Sequence, residues 1–256
     1  MSIPDDDLPV PPLVTRLADG RAVRELWRNG IGGRTFHLDA TGQETEPIVL
    51  KVAPPHPESD LAAEAERLAW AAEHAPVPRV IDVGIEDGFE WLATTVLPGT
   101  NAVEPYWIAR PAQAARAVGA ALRAWHERMP VADCPWTWTI KQRIAELPAT
   151  VTAEARAELR ATAPTTAPTD LVVCTGDACA PNYLLGDDGA PTGYVDLGAL
   201  GIGSRWADVA AAEWSIDFNY GPGHLDEFRR GYGLAAPPSV VEWYLRLWTA
   251  GDQSEN

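Results

Sequence analysis

Along the first hundred residues, apolar and polar positions alternate or run in short blocks, and only one stretch repeats at helical spacing. Arg21 to Trp27, Arg34 to Leu38 and Ile48 to Val52 read as short strands, with Gly30-Ile31-Gly32-Gly33 between the first two. Together they predict an antiparallel sheet. The period then changes: Leu61, Glu64, Leu68 and Ala71 recur every three or four positions, Ser59 and Asp60 offer side-chain acceptors for a helix start, and Pro76 and Pro78 end the run. A helix from Leu61 to about His74 follows. Two further strands are expected at Arg79 to Gly84 and Glu90 to Val96, and Leu97-Pro98-Gly99 marks the end of a first structural unit, residues 1–97.

The second unit, residues 98–256, has a different rhythm. Ala114, Val118, Ala121, Leu122 and Trp125 give Pro111 to Arg128 one apolar face, and Pro130 stops it, which predicts an amphipathic helix. Thr162 to Thr169, rich in Pro and Thr, reads as a surface loop. Leu171 to Cys174 and Gly193 to Asp196 bracket a short hairpin-like element, Asp208 opens another helix, and Val240 to Trp248 is the last. The expected class is α+β: an N-terminal antiparallel sheet with one main helix, then a larger, mainly helical part. Met1 to Pro12, with Asp5, Asp6, Asp7 and four prolines, is expected to be a loose arm without the basic and apolar regions of a secretory signal.

Composition narrows the classes. With 256 residues and 46% apolar content the chain can fill two cores, and eleven Trp against two Met make rigid anchors plentiful. A formal charge of -16 argues against a nucleic-acid partner, because such binding draws on Lys and Arg. The same field would concentrate a polycationic small molecule, although acidity also serves solubility. Cys134, Cys174 and Cys179 are an odd number without a C-x-x-C pair, so a reducing cytoplasm fits better than a disulfide framework or a structural zinc site. No window approaches the roughly 20 apolar residues of a membrane span. A monomer is the expected state.

The candidate chemistry lies in Thr175-Gly176-Asp177-Ala178-Cys179-Ala180-Pro181-Asn182, followed by Tyr194-Val195-Asp196-Leu197-Gly198. An Asp five residues before an Asn, with a second Asp on a neighbouring strand, is the interval used by kinases. Phosphoryl transfer needs an acceptor for the substrate hydroxyl's proton, which suits Asp177, and hard oxygen ligands for Mg2+, which suits Asn182 and Asp196. Singly, Asp and Asn are turn formers, so the weight rests on the combination. Gly30, Gly32 and Gly33 follow one strand and precede another, where backbone N–H groups can approach a triphosphate.

These motifs resemble the aminoglycoside phosphotransferase family, whose signature is a short strand, His-Gly-Asp, four residues, Asn, then Val/Ile-Asp-Leu/Cys-Gly. The likeness extends to Ala207-Asp208-Val209-Ala210, to Trp125-His126 with Val131-Ala132-Asp133-Cys134-Pro135, and to Tyr232–Pro237. It covers nearly the whole chain, and the Asp-Ala-Cys-x-Pro-Asn wording is most similar to the 3'-phosphotransferases. The resemblance implies a two-lobed, protein-kinase-like fold. It implies a nucleotide-binding N-terminal lobe including the hinge, and a C-terminal lobe with the catalytic loop and substrate cleft. It further implies ATP or GTP as phosphate donor with Mg2+, Lys51 on the third strand gripping the nucleotide, and Glu64 as its partner, with Glu66 as substitute. Thr95, Val96 and Leu97 are implied to hydrogen-bond the purine through their backbone, with Thr94 behind it.

Departures from the family concern the acceptor. Thr175 stands in place of His, and its hydroxyl is expected to replace an imidazole hydrogen bond. Ala199 stands where Arg often follows Asp-Leu-Gly, Leu247-Trp248-Thr249-Ala250 replaces an acidic and aromatic ending, and the segment from Arg143 to Asp170 is shorter than the family's insertion. Glu213 and Asp217, four apart on one helix, are the expected amine contacts, with Asp226 or Glu227 as substitutes; Trp214 and Phe218 could form a stacking wall. The implied activity is transfer of the terminal phosphate to a hydroxyl of an aminoglycoside antibiotic, the 3'-hydroxyl by resemblance, conferring resistance. Two other readings stay open: a kinase for another alcohol such as an amino sugar, a macrolide or a choline-like metabolite, and a non-catalytic nucleotide-binding pseudokinase.

Overall fold

The structure, a computed structural model, describes residues 8–42, 45–56, 59–235 and 238–250. It divides into two compact units, Met1–Leu97 and Pro98–Asn256. The first begins with helix α1 (Pro12–Ala18), followed by strands β1 (Val23–Arg28), β2 (Arg34–Leu38) and β3 (Ile48–Ala53), helix α2 (Leu61–Ala71), and strands β4 (Val80–Glu86) and β5 (Phe89–Thr95). The strands form one antiparallel sheet in the order β1-β2-β3-β5-β4. Asp87 and Gly88, both at positive φ, make the two-residue turn between β4 and β5 that matches strand twist.

Strand alternation sets the two faces of this sheet. Phe36, Leu38, Leu50 and Val52 point to one side and are buried with Leu13, Val14 and Ala18 of α1. The loose arm expected through Pro12 is thereby corrected. Pro12 opens a helix at the position where a missing N–H costs nothing, and that helix buries its apolar residues on the sheet. Met1 to Asp7, which carry the acidic part of that arm, lie outside the described residues. Residue 51 faces the side opposite Leu50, toward α2. There Asp60 accepts from the Ala63 N–H (2.8 Å), and the Glu90 carboxylate accepts from the Leu61 N–H (3.1 Å), so two side chains cap the helix start.

The second unit holds strand β6 (Thr100–Asn101), helices α3 (Pro105–Ile108), α4 (Pro111–Arg128), α5 (Ile140–Glu146) and α6 (Ala153–Ala161), strands β7 (Leu171–Cys174), β8 (Tyr183–Leu185), β9 (Pro191–Tyr194) and β10 (Gly201–Ser204), and helices α7 (Arg205–Tyr220), α8 (Leu225–Tyr232) and α9 (Val240–Thr249). The class is α+β. A hairpin, β8–β9, does lie between residues 171 and 196, but β7 belongs to a second small sheet. β7 pairs with β10, Gly201 opposite Cys174, while β8 pairs with β9 and β6. Gly201 and Gly203 let the Thr137–Trp138 segment lie against β10: a Cβ on Gly201 would stand 2.7 Å from the Thr137 carbonyl carbon. Helices α4 and α8 pack backbone to backbone, since a Cβ on Gly119 would lie 2.1 Å from the Phe228 carbonyl oxygen and one on Gly231 2.1 Å from that of Arg116.

Candidate active site

The β7 strand ends at Cys174, and the chain turns immediately through Thr175, Gly176 and Asp177. Gly176 has φ of +84°, and a Cβ there would meet the Ala199 carbonyl oxygen at 2.2 Å, so both conformation and contact demand glycine. Asn182 stands one residue before β8, and Asp196 two residues after β9. Because Tyr183 pairs with Tyr194, and the Val195 N–H donates to the Asn182 carbonyl (3.0 Å), Asn182 and Asp196 emerge side by side at one end of this hairpin. Asn182 Nδ2 then donates to the Asp177 carbonyl (3.0 Å), which ties the loop to the hairpin. Asp177, Asn182 and Asp196 are thus neighbours within one unit.

Their electrostatics are uneven. Burial first, and then the charge of Asp196, push the Asp177 carboxyl above its ordinary range, while the Cys179 N–H donating to its Oδ1 at 3.3 Å acts in the opposite direction. Asp196 is exposed and sits in the left-handed region at φ of 60°, which an Asp tolerates better than most residues. With Nδ2 of Asn182 spent on the loop, its Oδ1 is the side-chain oxygen the residue can offer a ligand. A repelling carboxylate pair beside a neutral amide oxygen fits a small divalent cation that takes few protein oxygens and keeps water and phosphate. Among the described residues no three His, Cys, Asp or Glu side chains gather into a closed metal cage.

The loop itself is anchored from below. Asp208, buried in the first turn of α7, accepts at Oδ2 from the Thr175 N–H (2.7 Å) and hydroxyl (3.3 Å) and at Oδ1 from the Gly176 N–H (3.2 Å). His126 Nε2 lies 3.1 Å from the same Oδ2, and His126 Nδ1 lies 2.8 Å from the Tyr232 hydroxyl. The Thr175 hydroxyl therefore does reach a carboxylate, although the larger share of the bracing comes from backbone. Ser215 Oγ accepts from the Ala180 N–H (2.9 Å) and holds the turn that delivers Asn182. Asp208, His126, Tyr232 and Ser215 have no role in the sequence reading beyond motif letters. The partners that tie them to the loop and to one another are 32 to 106 residues away, so only the motif words around Asp208, His126 and Tyr232 hinted at them.

In the first unit, Lys51 Nζ lies 2.6 Å from Glu64 Oε1, with the lysine 23% and the glutamate 5% exposed at the side chain. The pair holds the ammonium in one direction. Glu66, its substitute, is exposed on another face of α2. The glycine turn is more self-contained than expected: Asn29 Oδ1 accepts from the N–H groups of Ile31 (3.1 Å) and Gly33 (2.6 Å). The Gly33 N–H is therefore turned inward rather than toward a phosphate, and a Cβ at Gly33 would strike Asn29. Gly32 has φ of +88°, and Gly30 faces open space. Thr94 is buried, and the Thr95 N–H donates to the Arg79 carbonyl (2.9 Å), so of the three expected purine readers Thr95 has its donor engaged. Val96 and Leu97 continue half-buried beyond β5.

On the acceptor side one expectation is corrected. Glu213 is buried and gripped by Arg229 at two points, Nε to Oε1 at 2.7 Å and Nη2 to Oε2 at 3.0 Å, so it joins α7 to α8 instead of waiting for a substrate amine. The hydrogen bond to Glu213 in turn raises the Arg229 guanidinium further above its ordinary value. Asp217 is exposed on α7, whereas Asp226 lies 3.7 Å from Arg229 and Glu227 pairs with Arg230. Trp214 and Phe218 stack on each other, centroids 5.0 Å apart and 14° from parallel, with Phe218 exposed and Trp248 at 6.3 Å from Trp214. Pro237, which completes the motif begun at Tyr232, lies outside the described residues.

Comparison with known proteins places the chain and its fold. The model of the "phosphotransferase enzyme family" matches residues 24–243. An aminoglycoside 3'-phosphotransferase of Streptomyces fradiae is 36% identical over 231 residues, 80% of this chain and 85% of that protein. A streptomycin 3''-kinase of Streptomyces griseus is 31% identical, over 77% of this chain and 82% of its own length. Among solved structures, aminoglycoside-3'-phosphotransferase of type VIII superposes with a TM-score of 0.71 at 27% identity, covering 91% of this chain and 93% of its own. The kinase-like α+β architecture expected from the sequence is thus the observed one, and the chain belongs to the phosphotransferase enzyme family.

Proposed function

We propose that this protein transfers the terminal phosphate of ATP or GTP to a hydroxyl group of an aminoglycoside, the 3'-hydroxyl in the first instance, and so inactivates the antibiotic. The observation that carries the reading is the meeting of Asp177, Asn182 and Asp196 on one loop and hairpin of a chain similar over most of its length to 3'-phosphotransferases. Asp177 orients the acceptor hydroxyl and takes its proton as the new oxygen–phosphorus bond forms. The bond between the terminal phosphorus and the bridging oxygen breaks, and the nucleoside diphosphate leaves. Burial and the neighbouring negative charge raise the proton affinity of Asp177, which favours that transfer. Asn182 and Asp196 are the residues that would hold Mg2+, whose chemistry is to neutralise charge on the phosphates. Lys51, held by Glu64, grips the nucleotide phosphates, and the backbone of Val96 and Leu97 meets the purine. Asp217 is the remaining carboxylate for an acceptor amine. Cytoplasmic residence follows from the need for nucleotide.

The similarity to a streptomycin 3''-kinase keeps a second acceptor class in view, since both relatives share about a third of their residues with this chain. An assay coupled to release of the nucleoside diphosphate decides. Aminoglycosides bearing a 3'-hydroxyl should turn over, while their 3'-deoxy counterparts should not. Turnover restricted to streptomycin, a macrolide or a choline-like alcohol moves the assignment to that acceptor, and nucleotide binding with no turnover on any of them would reject a transferase.

A further inference from the structure

We propose that His126 and Tyr232 are positioning residues for the catalytic loop: they form a buried relay, Tyr232 to His126 to Asp208, that fixes the carboxylate on which the Thr175 and Gly176 amides rest. The inference rests on the reading of Asp177 as the group that receives the acceptor's proton, and it adds residues on two further helices to that machinery.

Asp208 is 2% exposed, and an ionised carboxylate at such a site is tolerated only when its oxygens are fully hydrogen-bonded. Thr175 and Gly176 supply three donors, all on the loop the carboxylate must hold still. Loop and carboxylate could therefore swing together unless something outside the loop fixes the carboxylate. His126 on α4 does so, with Nε2 at 3.1 Å from Oδ2. The ring's other nitrogen, Nδ1, lies 2.8 Å from the Tyr232 hydroxyl on α8, a group that can either donate or accept. The tyrosine thus holds the ring from its far side. Burial pushes the Tyr232 phenol well above its ordinary range, which keeps it protonated as a donor.

The backbone makes this lever stiff. Helices α4 and α8 touch through Gly119 and Gly231 with no room for a methyl group, so His126 and Tyr232 are carried on one rigid pair. Gly176 is wedged against Ala199, and Asp177 is the next residue, so a small rotation of the Asp208 carboxylate is passed directly to the Asp177 main chain. A misplacement of about 1 Å at a reacting group costs on the order of 100-fold in rate. Where the family carries His, this chain has Thr175, whose hydroxyl contact at 3.3 Å is long. The demand on His126 is correspondingly greater here.

Three variants test the relay by kinetics and by amide hydrogen exchange resolved at Thr175 and Gly176. His126→Leu should fold, exchange those two amides at least about tenfold faster, and lose about 10- to 100-fold in kcat, with KM for nucleotide and acceptor within about threefold of the parent. His126→Gln, whose amide N–H can reach the same carboxylate, should recover most of both losses, and Tyr232→Phe should fall between. Unchanged exchange in His126→Leu, equal behaviour of the Gln and Leu variants, or KM values moving in step with kcat would overturn the proposal. Should His126→Leu fail to fold, Tyr232→Phe, which removes one hydroxyl, decides by the same exchange measurement. A parent enzyme inactive on every acceptor would reject the proposed function, while the exchange arm would still pass or fail the relay.

Discussion

Asp177 and Asp196 carry the same functional group in opposite settings, one tucked against backbone with its proton affinity raised, the other exposed at a left-handed turn. The difference predicts different losses. Asp177→Ala should reduce kcat by about 10²- to 10⁴-fold and leave nucleotide affinity, measured by titration calorimetry with Mg2+, close to the parent. Asp196→Ala should lose the Mg2+-dependent part of that affinity as well, and equal, mild effects from both would contradict the two roles. At this scale the sequence was legible where partners are close along the chain: the interval from Asp177 to Asn182 is fixed by one turn, and the Asn182 amide duly bonds back across it. Glu213 was not legible. Its surroundings on α7 look like those of Asp217 four residues on, and the distinction arises only because Arg229 arrives from α8 with a two-point grip.

Among the elements, those whose residues bury one face against a neighbour announced themselves by period. Helix α4 runs from Pro111 to Arg128 as its apolar spacing requires, and β2, β3 and α2 start where their patterns start. Helix α2 ends at Ala71 rather than His74, although the Ala75 N–H still reaches the Ala71 carbonyl before Pro76. Helix α1 was hidden by its prolines, which look like an arm until Pro12 is seen to occupy the first helical position. The partner of β7 was hidden for another reason: strand pairing depends on which segment returns, and β10 returns through two glycines that carry no pattern. Glycine also governs the helix pair. Gly231→Ala would favour an isolated helix by about 1 kcal/mol, yet in α8 it drives a methyl into the Arg116 carbonyl, so we expect net destabilisation of about 2 kcal/mol or more, read as a lower Tm.

For the whole molecule, the net charge of -16 becomes a statement about rate. A polycationic acceptor is drawn toward such a surface, and the attraction is screened as the Debye length shrinks from about 30 Å at 0.01 M to about 8 Å at 0.15 M ionic strength. At saturating nucleotide, kcat/KM for an acceptor with several amines should therefore fall steeply with added salt, while kcat changes little. A flat profile would mean that the acceptor is held by local contacts alone. Sequence by itself determined the α+β order of elements and the interval across which Asn182 bonds back to Asp177, because hydrophobic period and short turn geometry are local properties of a chain. Tertiary structure alone decided that Asp208, His126 and Tyr232 form one buried chain under the loop, and that Glu213 is spent on Arg229. Each of those outcomes depends on which distant group reaches a buried polar atom first, and spacing along the chain does not record that.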